Sequence, residues 1–401
     1  MIMKKYVIFG WAAGIAGGQL HTAEKCKVLM KNGYDVYIVY AGKEKIVLPS
    51  IVIANSICIP EISCLPSYYF SFYRKKIINK IISFVNRNDS DEVFIESNDV
   101  RYSYWAELVA SVIKCKHFMF CLEGYFDYSS HKNMDYLKFK LLRSEIAGTR
   151  ESSLYQLFGK DLITKSNNRF FRAYIGPSFA NVPGSQTFRW NSFDYVIGYI
   201  GRESKPCFKG IVDGVLSFGK KHSNLKILFL CIGCSEGCLY DKLRNESLQM
   251  NNFSICFTGK LYPIPLDYIK NLDVCLGSSG SAAVAARNGI RTIKYFDNSE
   301  VPLGVIGYDI RSFSEEKIYK GNLCELLEDV LFNGFCEKFT YKNLYIPYDM
   351  ELDEKKMFND CLEMMSPCEL SYYDTSRITL VGCRGWLSFI YHRIKNWIKC
   401  R

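Results

Sequence analysis

Two basic residues and one run of small residues in this chain could together bind an anion. Arg202 follows an apolar stretch that is typical of a strand, and Lys209 comes seven residues later. Further along, the small residues Gly277–Ser281 separate another apolar stretch from a helical pattern. Arginine offers a planar fork to phosphate oxygens, lysine adds a mobile charge, and a glycine-serine turn at a helix N-terminus supplies N–H and O–H donors. This combination predicts a diphosphate site, although the small residues alone are equally consistent with an ordinary strand-to-helix turn capped by serine.

The elements that precede these residues should bring them together. We expect a strand over 272–276, then the small-residue loop, then a helix over 282–288 that stops at Gly289. Arg202 and the loop each follow a strand of what should be one parallel sheet, and the carboxyl ends of parallel strands lie at one edge. The residues assigned to the diphosphate on this basis are Arg202, Lys209, Ser278, Ser279, Gly280 and Ser281.

A glycine-rich segment near the N-terminus should border a substrate. A predicted strand over 6–9 is followed by Gly14, Gly17 and Gly18, then by a helix and a second strand over 36–40. This is a βαβ pattern but not a dinucleotide fingerprint, because the glycine spacing differs from GxGxxG and no acid ends the second strand. We interpret the segment as a loop that lets a substrate lie against the backbone at Gly17 and Gly18.

Acidic residues end two further predicted strands of the first half. Glu96 and Asp99 follow one of these strands, and Glu123 follows the next. Ligands of open α/β sheets bind at the carboxyl ends of the strands, so these acids are candidates to line a site, although each could simply end a strand in solvent. Glu123 is the best candidate for catalysis because an apolar strand and two aromatic residues flank it. His21, just after the glycine segment, is a second candidate.

Length and composition favour two α/β domains. A chain of 401 residues is too long for one ordinary core, and a hydrophobic content of 48% is ample for two. Prolines and glycines interrupt the regular patterns over 165–190, which is typical of a domain boundary. We therefore expect domains over 1–185 and 186–365, followed by a basic amphipathic tail over 366–401.

The charge and the cysteines limit the partners and the compartment. A net charge of +10 indicates an anionic partner, and because no signature of a nucleic-acid-binding module occurs we expect that partner not to be nucleic acid. The cysteines lie singly in apolar runs, no signal-peptide pattern opens the chain and no apolar run reaches transmembrane length, so we expect a reduced, cytoplasmic protein. Two basic amphipathic segments, 68–87 and 385–401, could lie on an anionic membrane surface or could pack against a core.

The order of short motifs resembles that of the GT-B glycosyltransferases. Gly17-Gly18-Gln19, then Gly201-Arg202 with Lys209-Gly210, then Ser278 and Gly289 follow the order seen in the glycogen-synthase and mannosyltransferase-like branch of bacterial polysaccharide biosynthesis. The resemblance implies a fold of two facing Rossmann-like domains with parallel sheets and a C-terminal helical tail.

The same resemblance implies an activity. A member would move a sugar from a nucleotide-sugar donor, bound by the C-terminal domain, to a glycan or lipid-linked acceptor on the N-terminal domain. It would act without a metal or other cofactor in the synthesis of a surface polysaccharide such as O-antigen or capsule, on the cytoplasmic face of the inner membrane. Arg202 and Lys209 would hold the donor diphosphate, and Glu123 stands where that branch usually has a histidine near the sugar. Gly17, Gly18, Glu96 and Asp99 would line the cleft between donor and acceptor.

The sequence also departs from that branch. The paired glutamates expected around the signature helix are absent, and the second of them would fall near Val284. Two alternatives therefore stay open beside the glycosyltransferase. One is a nucleotide-sugar epimerase on the same fold, and the other is a degenerate, non-catalytic GT-B subunit that serves a partner enzyme.

Overall fold

The chain forms two compact units, seen in a computed structural model. One unit comprises Met1–Gly176 together with Met350–Arg401, and the other comprises Pro177–Asp349. The first unit thus contains the end of the chain, whereas the sequence placed the divisions at 185 and 365. The structure describes residues 3–42, 45–122, 134–149, 153–159, 163, 169–174, 176, 178–184, 186–234, 238–310, 318–339 and 350–379.

A six-stranded parallel sheet is the centre of the first unit. Its strands are β1 (Lys4–Phe9), β2 (Tyr34–Tyr40), β3 (Asn55–Cys58), β4 (Glu92–Ser97), β5 (Lys116–Cys121) and β6 (Ile146–Gly148). They lie side by side in the order β3-β2-β1-β4-β5-β6, which is the order of a Rossmann fold. Apolar side chains from both faces of the sheet are buried, as expected for parallel strands that are covered by helices.

Helices cover this sheet. They are α1 (Gly17–Lys31), α2 (Pro49–Ile53), α3 (Ser71–Val85), α4 (Val100–Ile113), α5 (Met134–Leu142) and α6 (Ser153–Phe158). Helix α3 buries Ile77, Ile78, Ile81 and Val85, which recur at helical spacing on one face. Its last carbonyls, on Val85 and Asn86, accept hydrogen bonds from Nζ of Lys5 at the start of β1. Helix α3 therefore ends at the amino edge of the sheet and begins at the carboxyl edge.

The second unit repeats the same strand order. Its strands are β7 (Phe179–Ala180), β8 (Tyr195–Ile200), β9 (Ile227–Ile232), β10 (Phe253–Phe257), β11 (Ile264–Pro265), β12 (Val274–Ser278), β13 (Thr292–Tyr295) and β14 (Pro302–Val305). The main sheet has the order β10-β9-β8-β12-β13-β14, and all its pairs are parallel except β13 with β14. Strands β7 and β11 pair separately. Its helices are α7 (Cys207–Lys221), α8 (Cys238–Leu248), α9 (Leu266–Lys270), α10 (Ser279–Ala286) and α11 (Leu323–Leu331).

The chain then returns to the first unit through α12 (Met350–Met365) and α13 (Thr375–Thr379). Glu354 of α12 forms ion pairs at 2.7 Å with both Lys27 and Lys31 of α1. Buried Met357 of α12 packs against Val28 of α1. These contacts explain why α12 belongs to the first unit. The sequence analysis had placed residues 350–365 in the second domain.

The predicted α/β architecture with parallel sheets is confirmed. The strand-to-helix connection at 277–281 differs from expectation, because β12 extends through Ser278 and α10 begins at Ser279 without an intervening loop. The amphipathic segment 68–87 contains helix α3, whereas 385–401 lies outside the described residues. No helix within the described ranges combines the length and the apolar character that spanning a bilayer needs.

Candidate functional site

The strand order of the second unit creates a crevice between β8 and β12. From β8 the chain proceeds to β9 and β10 on one side, whereas β12, β13 and β14 lie on the other side. Connections leave such a switch point in opposite directions, and ligands of open α/β sheets bind there at the carboxyl ends of the strands. Arg202 follows β8 and Ser278 ends β12, so two of the predicted site residues lie at this point.

Lys205 and Ser278 join the two sides of the crevice. Nζ of Lys205 donates a hydrogen bond to Oγ of Ser278 at 2.8 Å and lies 3.0 Å from a carboxylate oxygen of Asp297. The Lys205 side chain is 15% exposed, against 49% for Asp297. Because both partners hold the ammonium group at the ends of the strands, its charge has a fixed position and keeps access to solvent.

Two helices begin beside this lysine. Helix α7 starts at Cys207, directly after Pro206, and α10 starts at Ser279. Ser278 is the N-cap residue of α10, but its side chain does not cap the helix. Backbone N–H groups in the first turn of a helix lack intrahelical acceptors, and the helix dipole favours a negative charge next to them. A helix N-terminus with a lysine at its cap is therefore suited to hold an anion.

Close packing fixes the position of α7. A Cβ atom on Gly210 would lie 2.1 Å from the carbonyl oxygen of Glu300, so only glycine allows this approach. The N–H of Cys207 also donates to the carbonyl of Asp297 at 3.3 Å. The segment after β13 is thus held against the start of α7, which brings Asp297 to Lys205.

The two predicted cations differ in their surroundings. Arg202 is exposed after β8, and within the described ranges its side chain has no acidic partner. Lys209 lies on α7, where its Nζ is 2.9 Å from both carboxylate oxygens of Glu300. Lys209 is therefore engaged in an exposed ion pair, and Lys205 is the lysine that contacts Ser278.

Sequence reasoning missed Lys205, although a signal was present. Proline is favoured at the first positions of a helix, where its missing N–H costs nothing. Pro206 therefore marks the start of α7 and places Lys205 just before it. Lys209 lies within the first turn of α7 and pairs with Glu300 instead.

The remaining predicted donors form the start of α10. Ser279, Gly280 and Ser281 are its first three residues, and Oγ of Ser281 donates to the carbonyl of Ser278 at 2.7 Å. These residues therefore place their backbone N–H groups in the first turn of a helix rather than in a loop.

In the first unit, Glu96 is buried rather than open to a substrate. It is fully buried, and its carboxylate oxygens lie 2.8 and 2.7 Å from Nζ of Lys25. The hydroxyl of Tyr6 and the side-chain amide of Asn98 also donate to it. Burial favours a lower pKa for Lys25, but the charge of Glu96 outweighs it and the pKa of the lysine is raised. Glu96 thus forms a buried ion pair, which corrects the expectation that it lines an open edge.

His21 is also inside the first unit. It is 2% exposed, its Nδ1 accepts a hydrogen bond from the N–H of Tyr174 at 3.1 Å, and its ring contacts that of Phe120. Burial, and then the nearby charge of Lys25, lower the pKa of His21 well below its usual range. A buried neutral imidazole bound to the backbone suits a structural role, so this geometry gives no support to catalysis by His21.

The other predicted residues of the first unit have mixed outcomes. Asp99 caps α4, because its carboxylate accepts the N–H of Arg101 at 2.7 Å. Gly17 and Gly18 open helix α1 instead of forming a loop before it. Glu123 lies outside the described residues. No group of three or more His, Cys, Asp and Glu side chains that could hold a metal occurs within the described ranges.

Comparisons with known proteins agree at the level of the fold. No protein-family model and no curated protein matches this sequence. A glycosyltransferase from Rickettsia africae is similar in structure, with a TM-score of 0.56 and 14% identity over 91% of this chain and 96% of that one. The lipopolysaccharide outer core galactosyltransferase WaaB gives a TM-score of 0.52 and 15% identity over 90% and 99% of the two chains. The chain has the GT-B fold.

Both chemistries considered for the sequence occur on this fold. The UDP-GlcNAc 2-epimerase from Neisseria meningitidis, solved with UDP-GlcNAc, gives a TM-score of 0.50 and 14% identity over 90% of this chain and 100% of that one. The similar structures are thus enzymes that include transferases and epimerases. At such identities the GT-B fold is common to both, and the choice between them depends on the residues of this chain.

Proposed function

We propose that this protein is a glycosyltransferase that uses a nucleotide-sugar donor. The contact between Lys205 and Ser278 at the crevice of the second unit carries the proposal. It supports a site where one lysine, the exposed Arg202 and the first N–H groups of α10 surround a diphosphate. Three kinds of donor at one edge of the sheet suit a diphosphate better than a neutral ligand.

The proposed reaction makes the diphosphate a leaving group. The bond between the anomeric carbon of the donor sugar and the diphosphate oxygen breaks, and its electron pair stays on that oxygen. A hydroxyl oxygen of the acceptor forms the new bond to carbon and loses its proton to solvent or to a base. Lys205, Arg202 and the α10 amides would stabilise the charge that develops on the diphosphate, and such preorganised donors are often a large part of catalysis.

The acceptor is proposed to be a glycan or a lipid-linked glycan on the first unit. The net charge of +10 supports work near an anionic membrane surface, on its cytoplasmic face, in the synthesis of a surface polysaccharide. WaaB, which is named for a lipopolysaccharide core, is in keeping with this context. Neither a metal nor another cofactor enters the proposed reaction.

Nucleotide binding tests the site directly. At a hundredfold excess over its Kd, a ligand should stabilise the protein by about 2.7 kcal/mol, which raises the melting temperature of a domain of this size by about 5–10 °C. We expect one or more of UDP, GDP, ADP and CDP to do so. Lys205→Met should remove most of the shift, whereas Lys209→Met should retain it, because Lys209 is paired with Glu300. Equal shifts in both variants would contradict the assignment of Lys205.

Product analysis separates the candidate activities. A glycosyltransferase releases a nucleoside diphosphate only when an acceptor is present, and the acceptor gains the mass of one sugar. An epimerase converts the nucleotide sugar into an isomer of the same mass without an acceptor. A non-catalytic subunit does neither. Mass spectrometry of a donor panel with crude lipid-linked acceptor therefore distinguishes all three, and isomerisation without an acceptor would overturn the proposed transferase.

A further inference from the structure

Two aromatic side chains at the start of α3 are exposed. Phe70 immediately precedes the helix and is 53% exposed, and Phe72 in its first turn is 72% exposed. Their rings stack on each other, with centroids 6.0 Å apart and planes inclined by 12°. Large apolar side chains exposed as an adjacent pair indicate a surface that interacts with something apolar.

The exposed face of α3 continues this pair with positive charge. Lys75, Lys76 and Lys80 are all exposed and follow Phe72 at helical spacing, opposite the buried isoleucines. Helix α3 contains no acidic residue between Ser71 and Val85. Arg74, also on the helix, turns inward and donates to the carbonyl of Tyr69. One face of α3 therefore carries two aromatic rings at its start and three lysines behind them.

Among the residues that the structure describes, no acid forms an ion pair with Lys75, Lys76 or Lys80. Glu61 contacts the start of the helix, is half-buried and accepts a hydrogen bond from the hydroxyl of Tyr73 at 2.9 Å. At the far end of the helix, Asp91 forms an ion pair at 2.9 Å with Lys5. Neither acid is paired with a lysine of the exposed face.

We infer that Phe70, Phe72, Lys75, Lys76 and Lys80 form a surface that docks on an anionic lipid bilayer. The two rings would enter the boundary between headgroups and acyl chains, and the lysines would lie against anionic headgroups. A protein partner would not require a face without acids, whereas an anionic bilayer matches both the charge and the exposed rings. Because α3 begins at the carboxyl edge of its sheet, docking would bring the membrane to the edge at which the strands of the first unit end.

This inference deepens the proposed function, since a lipid-linked acceptor lies in a membrane. It can nevertheless fail on its own, because vesicle binding needs neither a nucleotide nor an acceptor. A protein that binds vesicles but no nucleoside diphosphate would overturn only the proposed activity. A protein that binds a nucleotide but no vesicles would overturn only the docking surface.

Flotation of the full chain with vesicles tests the surface. We expect binding to vesicles of phosphatidylcholine mixed with phosphatidylglycerol, much weaker binding to phosphatidylcholine alone, and a decline as salt is added. The triple variant Lys75→Gln, Lys76→Gln, Lys80→Gln should lower binding to the anionic vesicles by about a hundredfold, since each lysine near such a surface contributes about a factor of five. Phe70→Ser with Phe72→Ser should also weaken binding while keeping its dependence on salt.

A matched control removes three exposed lysines elsewhere. Lys220→Gln, Lys221→Gln and Lys242→Gln change the net charge equally but lie on the second unit, and should leave binding unchanged. Equal loss in this control would overturn the inference, because net charge alone would explain binding. The segment 385–401 contains Trp386 and Trp397. If Trp386→Ser with Trp397→Ser abolished vesicle binding while the phenylalanine variant bound fully, the inference would also be overturned. A dimer that Phe70→Ser with Phe72→Ser converts to a monomer, seen by sedimentation, would identify a second copy as the occupant instead.

Discussion

Replacing Glu96 by glutamine should destabilise the first unit strongly, because it leaves a buried ammonium group without its counter-charge. Lys25 and Glu96 are 2% and 0% exposed in their side chains, and they are separated by 2.7 Å. The volume of the side chain is nearly unchanged in Glu96→Gln, so the effect isolates the charge. Breaking a buried ion pair by removing one partner typically costs about 3–5 kcal/mol.

The reciprocal variant, Lys25→Met, and the double variant complete a double-mutant cycle with Glu96→Gln. In Lys25→Met the carboxylate keeps two donors, the hydroxyl of Tyr6 and the amide of Asn98, so we expect a loss at the lower end, about 3 kcal/mol. The double variant carries no buried charge, and buried ion pairs are often replaced by uncharged groups at little cost. It should therefore be more stable than either single variant.

Urea unfolding measures these differences, with Glu92→Gln as the control. Glu92 begins the same strand but is exposed, so the same chemical change there should alter the free energy of unfolding by no more than about 0.5 kcal/mol. If Glu96→Gln unfolds at the same urea concentration as the unaltered protein but loses sugar transfer, the reasoning is refuted and Glu96 belongs to the reaction site.

Three further variants test other parts of the structure. Burial alone would raise the pKa of Glu107, but Lys140 and a hydrogen bond from a buried histidine outweigh burial and lower the pKa from 4.5 to about 2. About 3 kcal/mol of stability should therefore be present above pH 4.5 and be lost as the pH falls towards 2. Glu107→Gln should make stability depend less on pH in that range, which acid unfolding measures. Gly210→Ala should cost at least 1–3 kcal/mol in thermal unfolding, roughly what overpacking costs, because its Cβ meets backbone of Glu300; an unchanged melting temperature would contradict that packing. The hydroxyl of Tyr295 is buried without a hydrogen-bond partner in the described part of the chain, so Tyr295→Phe should raise stability by about 1–3 kcal/mol; weaker nucleotide binding at unchanged stability would show instead that this hydroxyl meets the ligand.

Much of the fold was predictable because local patterns and the global topology agree. Alternation of apolar strands with amphipathic helices predicted parallel sheets, and the positions of Arg202 and Ser278 after their strands predicted that both lie at one edge. Sequence pattern does not determine strand order, but the order sets the switch point between β8 and β12. The prediction for Arg202 and Ser278 therefore depended only on their place after a strand, whereas their neighbours depend on the strand order.

The errors of detail come from contacts between residues distant in sequence. Glu96 ends an apolar strand, as a ligand residue would, and nothing local reveals that Lys25 lies 71 positions away and pairs with it. Lys209 is the third residue of α7, and only the packing of α7 against Glu300 shows where its charge goes. Lys205 is different, because Pro206 already indicated the helix start in the sequence.

The two units use their charged residues differently at corresponding places. At the switch point of the first sheet, between β1 and β4, the carboxylate of Glu96 is saturated by a lysine, a hydroxyl and an amide, so it has no capacity left for a ligand. At the switch point of the second sheet, Lys205 is partly exposed and shares its charge with an exposed acid, and Arg202 is open to solvent. A charged ligand gains most where the protein's own charges are not yet satisfied. Anion binding is therefore expected in the second unit, and the charges inside the first unit serve mainly to hold its sheet and helices together.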